Sequence, residues 1–329
     1  VFYDESEATT SLTYAELDQW ARAIAATLQR EAKPGDRALL VFPAGLDFIT
    51  AFFGCLYAGV HAVPATYPKP RRPMPRLETI ARDSGARFVL TTSNALQTLE
   101  VSRSAPQLQR LRWIATDALS SHAADDWHDP AVRNRDLAFL QYTSGSTSDP
   151  KGVMVSHGNL LHNLEMIRRG FDLRPRDAEN GTGVFWLPAY HDMGLIGGIL
   201  EALYVGGCSI LMAPAAFLRR PVRWLEAISH YGAIISGGPN FAYELCVEKI
   251  TPRDRARLDL SSWRVAFCGA EPIRAETLER FAEAFQPCGF RSEAFYPCYG
   301  LAESTLLASG GTGPARPVTK RVRRSALTE

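Results

Sequence analysis

The chain has 329 residues, 46% of them apolar and 22% charged, enough for a sizeable core and more than one lobe. Its 36 basic and 35 acidic side chains nearly cancel, so no global field selects nucleic acid or an anionic membrane surface. The six cysteines form no C-x-x-C pair, the first residues carry no basic-then-apolar signal pattern, and the longest apolar stretch, "FITAFFGCLYAGVHAV", is short and glycine-broken; the expectation is buried thiols in a reducing cytoplasm, with no zinc site and no stable membrane insertion. In "SLTYAELDQWARAIAATLQR", Leu17, Ala21, Ile24 and Leu28 recur at helical spacing, with Thr13 and Glu16 as a capping box. "KPGDRALLVF" reads as a turn and strand, "GLDFITAFFGCLYAG" as a helix stopped near Gly59, and "VHAVP" as a strand. A helix near 76–84, strand "RFVLTT", a helix near 94–102 and strand "RWIAT" continue the rhythm. Beyond residue 156 the helices "HGNLLHNLEMIRRG", "MGLIGGILEALYVGG", "PVRWLEAISHYG", "NFAYELCVEKI" and "AETLERFAEAF" alternate with strands "GVFWLP", "CSILMA", "AIISGG" and "WRVAFCGA". Short apolar strands alternating with helices predict an α/β fold with largely parallel sheets covered by helices. The strands are too many for one small sheet, so two packed lobes are expected, with a sequence boundary at 135–180. The Pro-rich "YPKPRRPMPRL" reads as a stiff surface loop, and residues 310–329 as a loop whose basic cluster is a solvated patch.

One stretch breaks the pattern. "LQYTSGSTSDPKGVMVSHGN", residues 140–159, places Thr143, Ser144, Ser146, Thr147 and Ser148 around Gly145 and then delivers Lys151. "DLAFLQYT" before it and "GVMVSH" after it read as strands. A Walker A loop opens a helix and follows its lysine with Ser or Thr, whereas Lys151 lies between Pro150 and Gly152. Phosphate binding still suits these residues. Gly145 lets the backbone approach a ligand, the hydroxyls donate without adding charge, and Lys151 supplies a point charge. A plain polar hairpin turn has the same composition.

Two further stretches follow in order: "CGAEPI", 268–273, and "YPCYGLAEST", 296–305. The three together resemble the motifs of the adenylate-forming (AMP-binding) enzymes. "FLQYTSGST", "WLPAYHDMGLIGG", "GGPNFAYELC" and "YGLAEST" look like the fatty acyl-AMP ligase branch. The resemblance runs from "TYAEL" to "GLAEST" and implies two mostly parallel β-sheet subdomains flanked by helices. It implies ATP and Mg²⁺ as cofactors, a fatty acid as substrate, and an acyl carrier protein phosphopantetheine as acceptor. Thr143, Ser144, Gly145, Ser146, Thr147 and Lys151 are then expected to wrap the β- and γ-phosphates. Tyr299 is expected beside the adenine, with Gly300, Leu301 and Ala302 following it and Gly269, Ala270 and Glu271 on the other edges; Glu303 is expected to ligate the metal. His191 is expected near the acyl carboxylate and α-phosphate, and Asp192 either orients it or faces the adenine. Ser148 stands where the family usually has glycine, and Ala302 where the broader superfamily has threonine.

Gly197, Gly198, Gly238, Pro239 and Phe241 have the sizes expected of an acyl tunnel wall, and equally of plain core. His157 and His162 read as packing or capping a helix, and Asp125 and Asp126 as a solvated loop. Residues 1–329 are expected to be an incomplete N-terminal adenylation domain. The family insertion would begin at 310–329, and the ribose-binding Asp, the hinge and the small C-terminal domain with its catalytic Lys would lie outside, leaving adenylation weak or absent. A long-chain acyl-CoA synthetase and a non-catalytic nucleotide- or acyl-binding module are the alternatives.

Overall fold

The structure, a computed structural model, describes residues 1–3, 9–68, 74–99, 107–143, 150–173, 181–311, 316–320 and 322–323. Two mostly parallel sheets organise it. The first runs, in spatial order, Arg112–Ala115, Phe88–Thr91, Arg37–Leu40, His61–Pro64, Leu137–Thr143 and Lys151–Ser156, with only the last pair antiparallel. The second runs Phe295–Pro297, Val265–Cys268, Ile235–Gly238, Thr182–Phe185, Cys208–Met212, Phe2–Tyr3 and Thr9–Thr10. The chain thus passes from one sheet to the other between Ser156 and Thr182, while the strand at Phe2–Tyr3 returns to the second sheet beside Leu211 and Met212.

Strand alternation sorts the core into layers. In the first sheet Ala38 and Leu40 face one cluster with Phe52 and Phe139, whereas Leu39 and Val89 face another with Leu77 and Ile80 of helix Pro75–Ser84. In the second sheet Phe185 and Phe267 join the first of these clusters, while Val184 and Ala266 face a third. The shared cluster therefore fills the space between the sheets, with helices Tyr14–Gln29, Asp47–Tyr57 and His157–Gly170 in it. Close packing inside that layer relies on Gly54, where a Cβ would stand 2.5 Å from Ile24 Cγ2. The outer cluster of the second sheet is aromatic: Trp224 meets Trp263 edge-on at 5.4 Å, and Tyr243 meets Phe281 at 5.1 Å.

Local signals explain most element ends. Thr13 and Glu16 form the capping box of the first helix, and Gly59 at φ +68° follows the helix that ends at Tyr57. Ser156 and Asn159 form a second capping box, so neither His157 nor His162 is the cap. His157 is half-buried and its pKa is lowered by burial, while His162 is exposed. Asp126 pairs with Arg30 at 2.6 Å across the surface, and Cys208 is an exposed thiol.

One element departs from expectation in kind. Met193–Leu200 is a π-helix that continues as an α-helix over Glu201–Tyr204. Along this wider turn Gly194 packs against the Pro188 backbone and Gly198 against the Phe185 ring. The expected helix near 94–102 is described over Ser93–Thr98, and the Pro-rich connector at 69–73 lies outside the described residues, as do 312–315, 321 and 324–329. Among the described residues no helix is long and apolar enough to cross a membrane.

Candidate functional site

Parallel α/β sheets bind ligands beyond the carboxyl ends of their strands. The ends of Leu137–Thr143, Val265–Cys268 and Phe295–Pro297 border a cavity of about 400 Å³. Thr143 reaches it from the first sheet, and Gly269, Ala270, Tyr299 and Glu303 from the second. Thr143 and Lys151 are the last cross-strand pair of the hairpin, so the hydroxyl-rich loop springs from the cavity's edge. Ser144, Gly145, Ser146, Thr147 and Ser148 lie outside the described residues. Lys151 is exposed and does not line the cavity.

Backbone shape is unusual on the second-sheet side. Ala270 has φ +67°, a left-handed conformation that a side chain disfavours and that clusters at functional sites. Tyr299 and Gly300 form a two-residue strand paired with Leu307–Ser309, and a Cβ at Gly300 would stand 2.1 Å from Leu306 O. The ring of Tyr299 is 63% exposed, leaving a face for a flat ligand. Leu301 and buried Ala302 line the cavity behind it, and Glu303 sits in the exposed turn Ala302–Ser304. Glu271 does not line this cavity; its Oε1 accepts from Phe241 N at 2.6 Å and holds the start of helix Asn240–Lys249 instead.

His191 and Asp192 precede the π-helix and, with Thr143, border a second cavity of about 570 Å³ lined also by Met74, Leu77, Ile80 and Tyr190. His191 Nδ1 lies 2.5 Å from Asp192 Oδ1, which also accepts from Met193 N at 2.7 Å. The hydrogen bond to Asp192 raises the His191 pKa above its ordinary 6.5, against the opposing pull of burial. Nδ1 is thereby committed to Asp192, and Nε2 is the nitrogen open to a ligand.

The residues picked for an acyl tunnel divide. Gly197 lines the 400 Å³ cavity. Gly198, Gly238, Pro239 and Phe241 line neither cavity. A Cβ at Gly198 would meet Phe185 at 3.2 Å, and one at Gly238 would meet Trp186 at 2.6 Å. The missing side chains there admit aromatic rings and leave no channel. Phe241 is 42% exposed, its ring edge-on to Trp186.

Two supporting residues escaped the sequence reading. Asn163 is 3% exposed; its amide nitrogen donates to Ser304 O and Leu307 O, and its carbonyl accepts from Leu307 N, tying helix His157–Gly170 to the turn that carries Glu303. Gln141 donates to Tyr190 O at 3.0 Å and so anchors the loop before His191. The available signal was a polar side chain on an otherwise apolar face, beside Leu160, Leu164 and Ile167 in one case and Phe139 in the other.

Among the described residues no group of three His, Cys, Asp or Glu could hold a metal alone. Glu303 is a lone exposed carboxylate. That suits Mg²⁺, which binds through one or two carboxylates and completes its shell with phosphate oxygens and water.

A family description, "AMP-binding enzyme", matches residues 1–326. The medium-chain-fatty-acid–[acyl-carrier-protein] ligase JamA of Moorena producens is 47% identical over 91% of this chain and 51% of its own length. The long-chain-fatty-acid–AMP ligase FadD32 of Mycolicibacterium smegmatis is 39% identical over 96% of this chain and 50% of its own length. The chain thus spans about half the length of the curated relatives it matches. The crystal structure of a fatty acyl-adenylate ligase from L. pneumophila, in complex with acyl adenylate and pyrophosphate, superposes with a TM-score of 0.89 at 47% identity, over 94% of this chain and 53% of that one.

Proposed function

The chain belongs to the AMP-binding enzyme family, and on that premise we propose that it activates a fatty acid with ATP, giving a fatty acyl-AMP and pyrophosphate, for transfer to the phosphopantetheine thiol of an acyl carrier protein in lipid, polyketide or lipopeptide biosynthesis. The observation that carries the proposal is the convergence of four distant sequence segments, at Thr143, His191–Asp192, Gly269–Ala270 and Tyr299–Glu303, on one cavity. The names of the acyl-carrier-protein ligase JamA and of the L. pneumophila adenylate complex support the substrate and the acceptor. A reaction that consumes ATP and hands its acyl product to a carrier protein belongs in the cytoplasm.

In this reading a carboxylate oxygen attacks the α-phosphorus, and the bond from that phosphorus to the oxygen bridging to the β-phosphate breaks. The nucleophile is already ionised, so no base has to remove a proton, and the protein contributes positioning and charge stabilisation. The Tyr299 ring and the Gly269–Ala270 backbone flank the adenine. The loop between Thr143 and Lys151 holds the β- and γ-phosphates. His191, oriented by Asp192 and with its charged form favoured, donates through Nε2 to the oxygens where the acyl and α-phosphate groups meet. Glu303 would hold Mg²⁺, which when bound offsets phosphate charge.

Calorimetric titration of ATP with and without Mg²⁺ tests this. ATP should bind more tightly with the metal, and Glu303→Ala should abolish the difference while leaving metal-free binding unchanged. No ATP binding, or a metal effect that survives Glu303→Ala, overturns the reading.

A further inference from the structure

Beyond Gly197 the helix that begins at the two large cavities carries a side chain that the mechanism above does not use. Glu201 is 2% exposed, and neither of its carboxylate oxygens has a hydrogen-bond partner among the described residues. Proteins keep such a group only where an ordered water or a ligand answers it. It lines a small cavity of about 30 Å³ whose other walls include Leu173, Phe185 and Ile235. A space of that size holds one water or one small polar group.

Phe171 and Gly197 line both this space and the 400 Å³ cavity. Gly197 contributes no side chain between them, and the Phe171 ring stacks on Phe267 at 6.1 Å. The nearest charges belong to helix His157–Gly170 and are engaged elsewhere. Arg168 bonds Glu165 at 2.7 Å and Leu173 O at 3.0 Å, and Glu165 is further held by Arg169 and Tyr204. Cys208 also lines the same small cavity. Burial pushes the Glu201 carboxyl up to about 8, outweighing Arg168, so near neutral pH it keeps its proton and can donate.

We propose that Glu201 is a specificity-determining residue at the far end of the acyl site, where its carboxyl group binds a hydroxyl carried on the distal part of the acyl chain. The proposal rests on the fatty acyl-adenylate reading. In this reading the acyl chain passes between Phe171 and Gly197, which border both spaces, into a cavity where Thr182 and Cys208 are the other polar residues and Glu201 is the one whose carboxylate has no partner among the described residues. A chain with a distal hydroxyl satisfies the carboxyl, whereas a plain chain of the same length displaces any water there and leaves it unanswered.

The test uses acyl-sulfamoyl adenosines, non-hydrolysable mimics of the adenylate, in pairs of equal chain length with and without a terminal hydroxyl. Each is titrated calorimetrically into the wild type, Glu201→Gln and Glu201→Leu across a ladder of chain lengths. At the length that reaches Glu201 the hydroxylated mimic should bind the wild type about tenfold tighter than its plain partner. Glu201→Gln should keep most of that preference and Glu201→Leu should reverse it. Binding with no hydroxyl preference at any length, or a preference unchanged in Glu201→Leu, overturns the role of Glu201 alone. Failure of every mimic to bind overturns the adenylate reading and this proposal with it.

Discussion

Asp192 and Glu201 stand at opposite ends of one helical run and carry the same functional group into opposite surroundings. Asp192 borders both large cavities and is answered by two donors, the His191 ring and the Met193 amide. Glu201 is enclosed by Phe171, Phe185 and Val205 and answered by none among the described residues. Residue type therefore does not decide what a carboxyl group does here; the partners the fold brings beside it do. The first end orients a histidine at the border of the two large cavities, and the second retains a buried group whose cost only a ligand or water relieves.

The sharpest way to break this contrast is to remove the unanswered group. Folded Glu201 holds its proton up to about 8, whereas the unfolded chain releases it near 4.5. Between those values the unfolded state gains by ionising, so Glu201 destabilises the fold more as pH rises. Relative to wild type, Glu201→Leu should become more stable by up to ~4 kcal/mol between pH 4.5 and pH 8, read from urea unfolding at the two values. A gap that stays constant with pH would mean that Glu201 has a partner after all.

Next come the glycines along the same run. A Cβ at Gly194 would stand 2.1 Å from Pro188 O, whereas one at Gly197 would meet only Leu306 at 3.4 Å. Gly194→Ala should cost ~1–3 kcal/mol in chemical denaturation, and Gly197→Ala should stay within ~0.5 kcal/mol of wild type. Equal losses at both positions would contradict the tight fit at the polar end and the open partition further along.

The smallest effect probes the answered acid. Asp192→Asn should lower the His191 titration midpoint toward 6.5, followed by NMR of the ring protons, with a stability loss of at most ~1 kcal/mol. Because His191 is raised in the folded state, its contribution is complete below 6.5 and fades as pH climbs through the folded midpoint. The wild-type advantage over Asp192→Asn should therefore shrink on the alkaline side. An advantage that grows there would mean the imidazole is held neutral.

Much of the architecture was readable because local and global preferences agree. Leu17, Ala21, Ile24 and Leu28 mark the buried stripe of the first helix, and all four are buried. The short strands Arg37–Leu40 and Phe88–Thr91, each with three consecutive apolar residues, became interior strands covered on both faces. The site was readable as motifs and much less as geometry. Nothing in "GAEP" foretold the left-handed backbone at Ala270 or the turning of Glu271 toward Phe241, since both depend on elements far away in sequence. Small-residue composition left Gly198 and Gly238 open between tunnel wall and plain core, because a glycine that makes room for a ring and one that leaves a void look alike in one dimension. Glu201 was hidden for the same reason. In "ILEALY" a glutamate reads as the solvated face of an amphipathic helix, and only the packing of both neighbouring layers encloses it.

The pairing of Phe2–Tyr3 with Leu211 and Met212 has a consequence for how the molecule is made. A ribosome delivers this strand roughly two hundred residues before its seat between Thr9–Thr10 and Cys208–Met212 exists. Until then its unpaired backbone edge, a row of free N–H and C=O groups, waits in the open while the first sheet can already assemble. The second sheet closes late, and that waiting edge is where a chaperone, or a wrong strand from another nascent chain, has its opportunity.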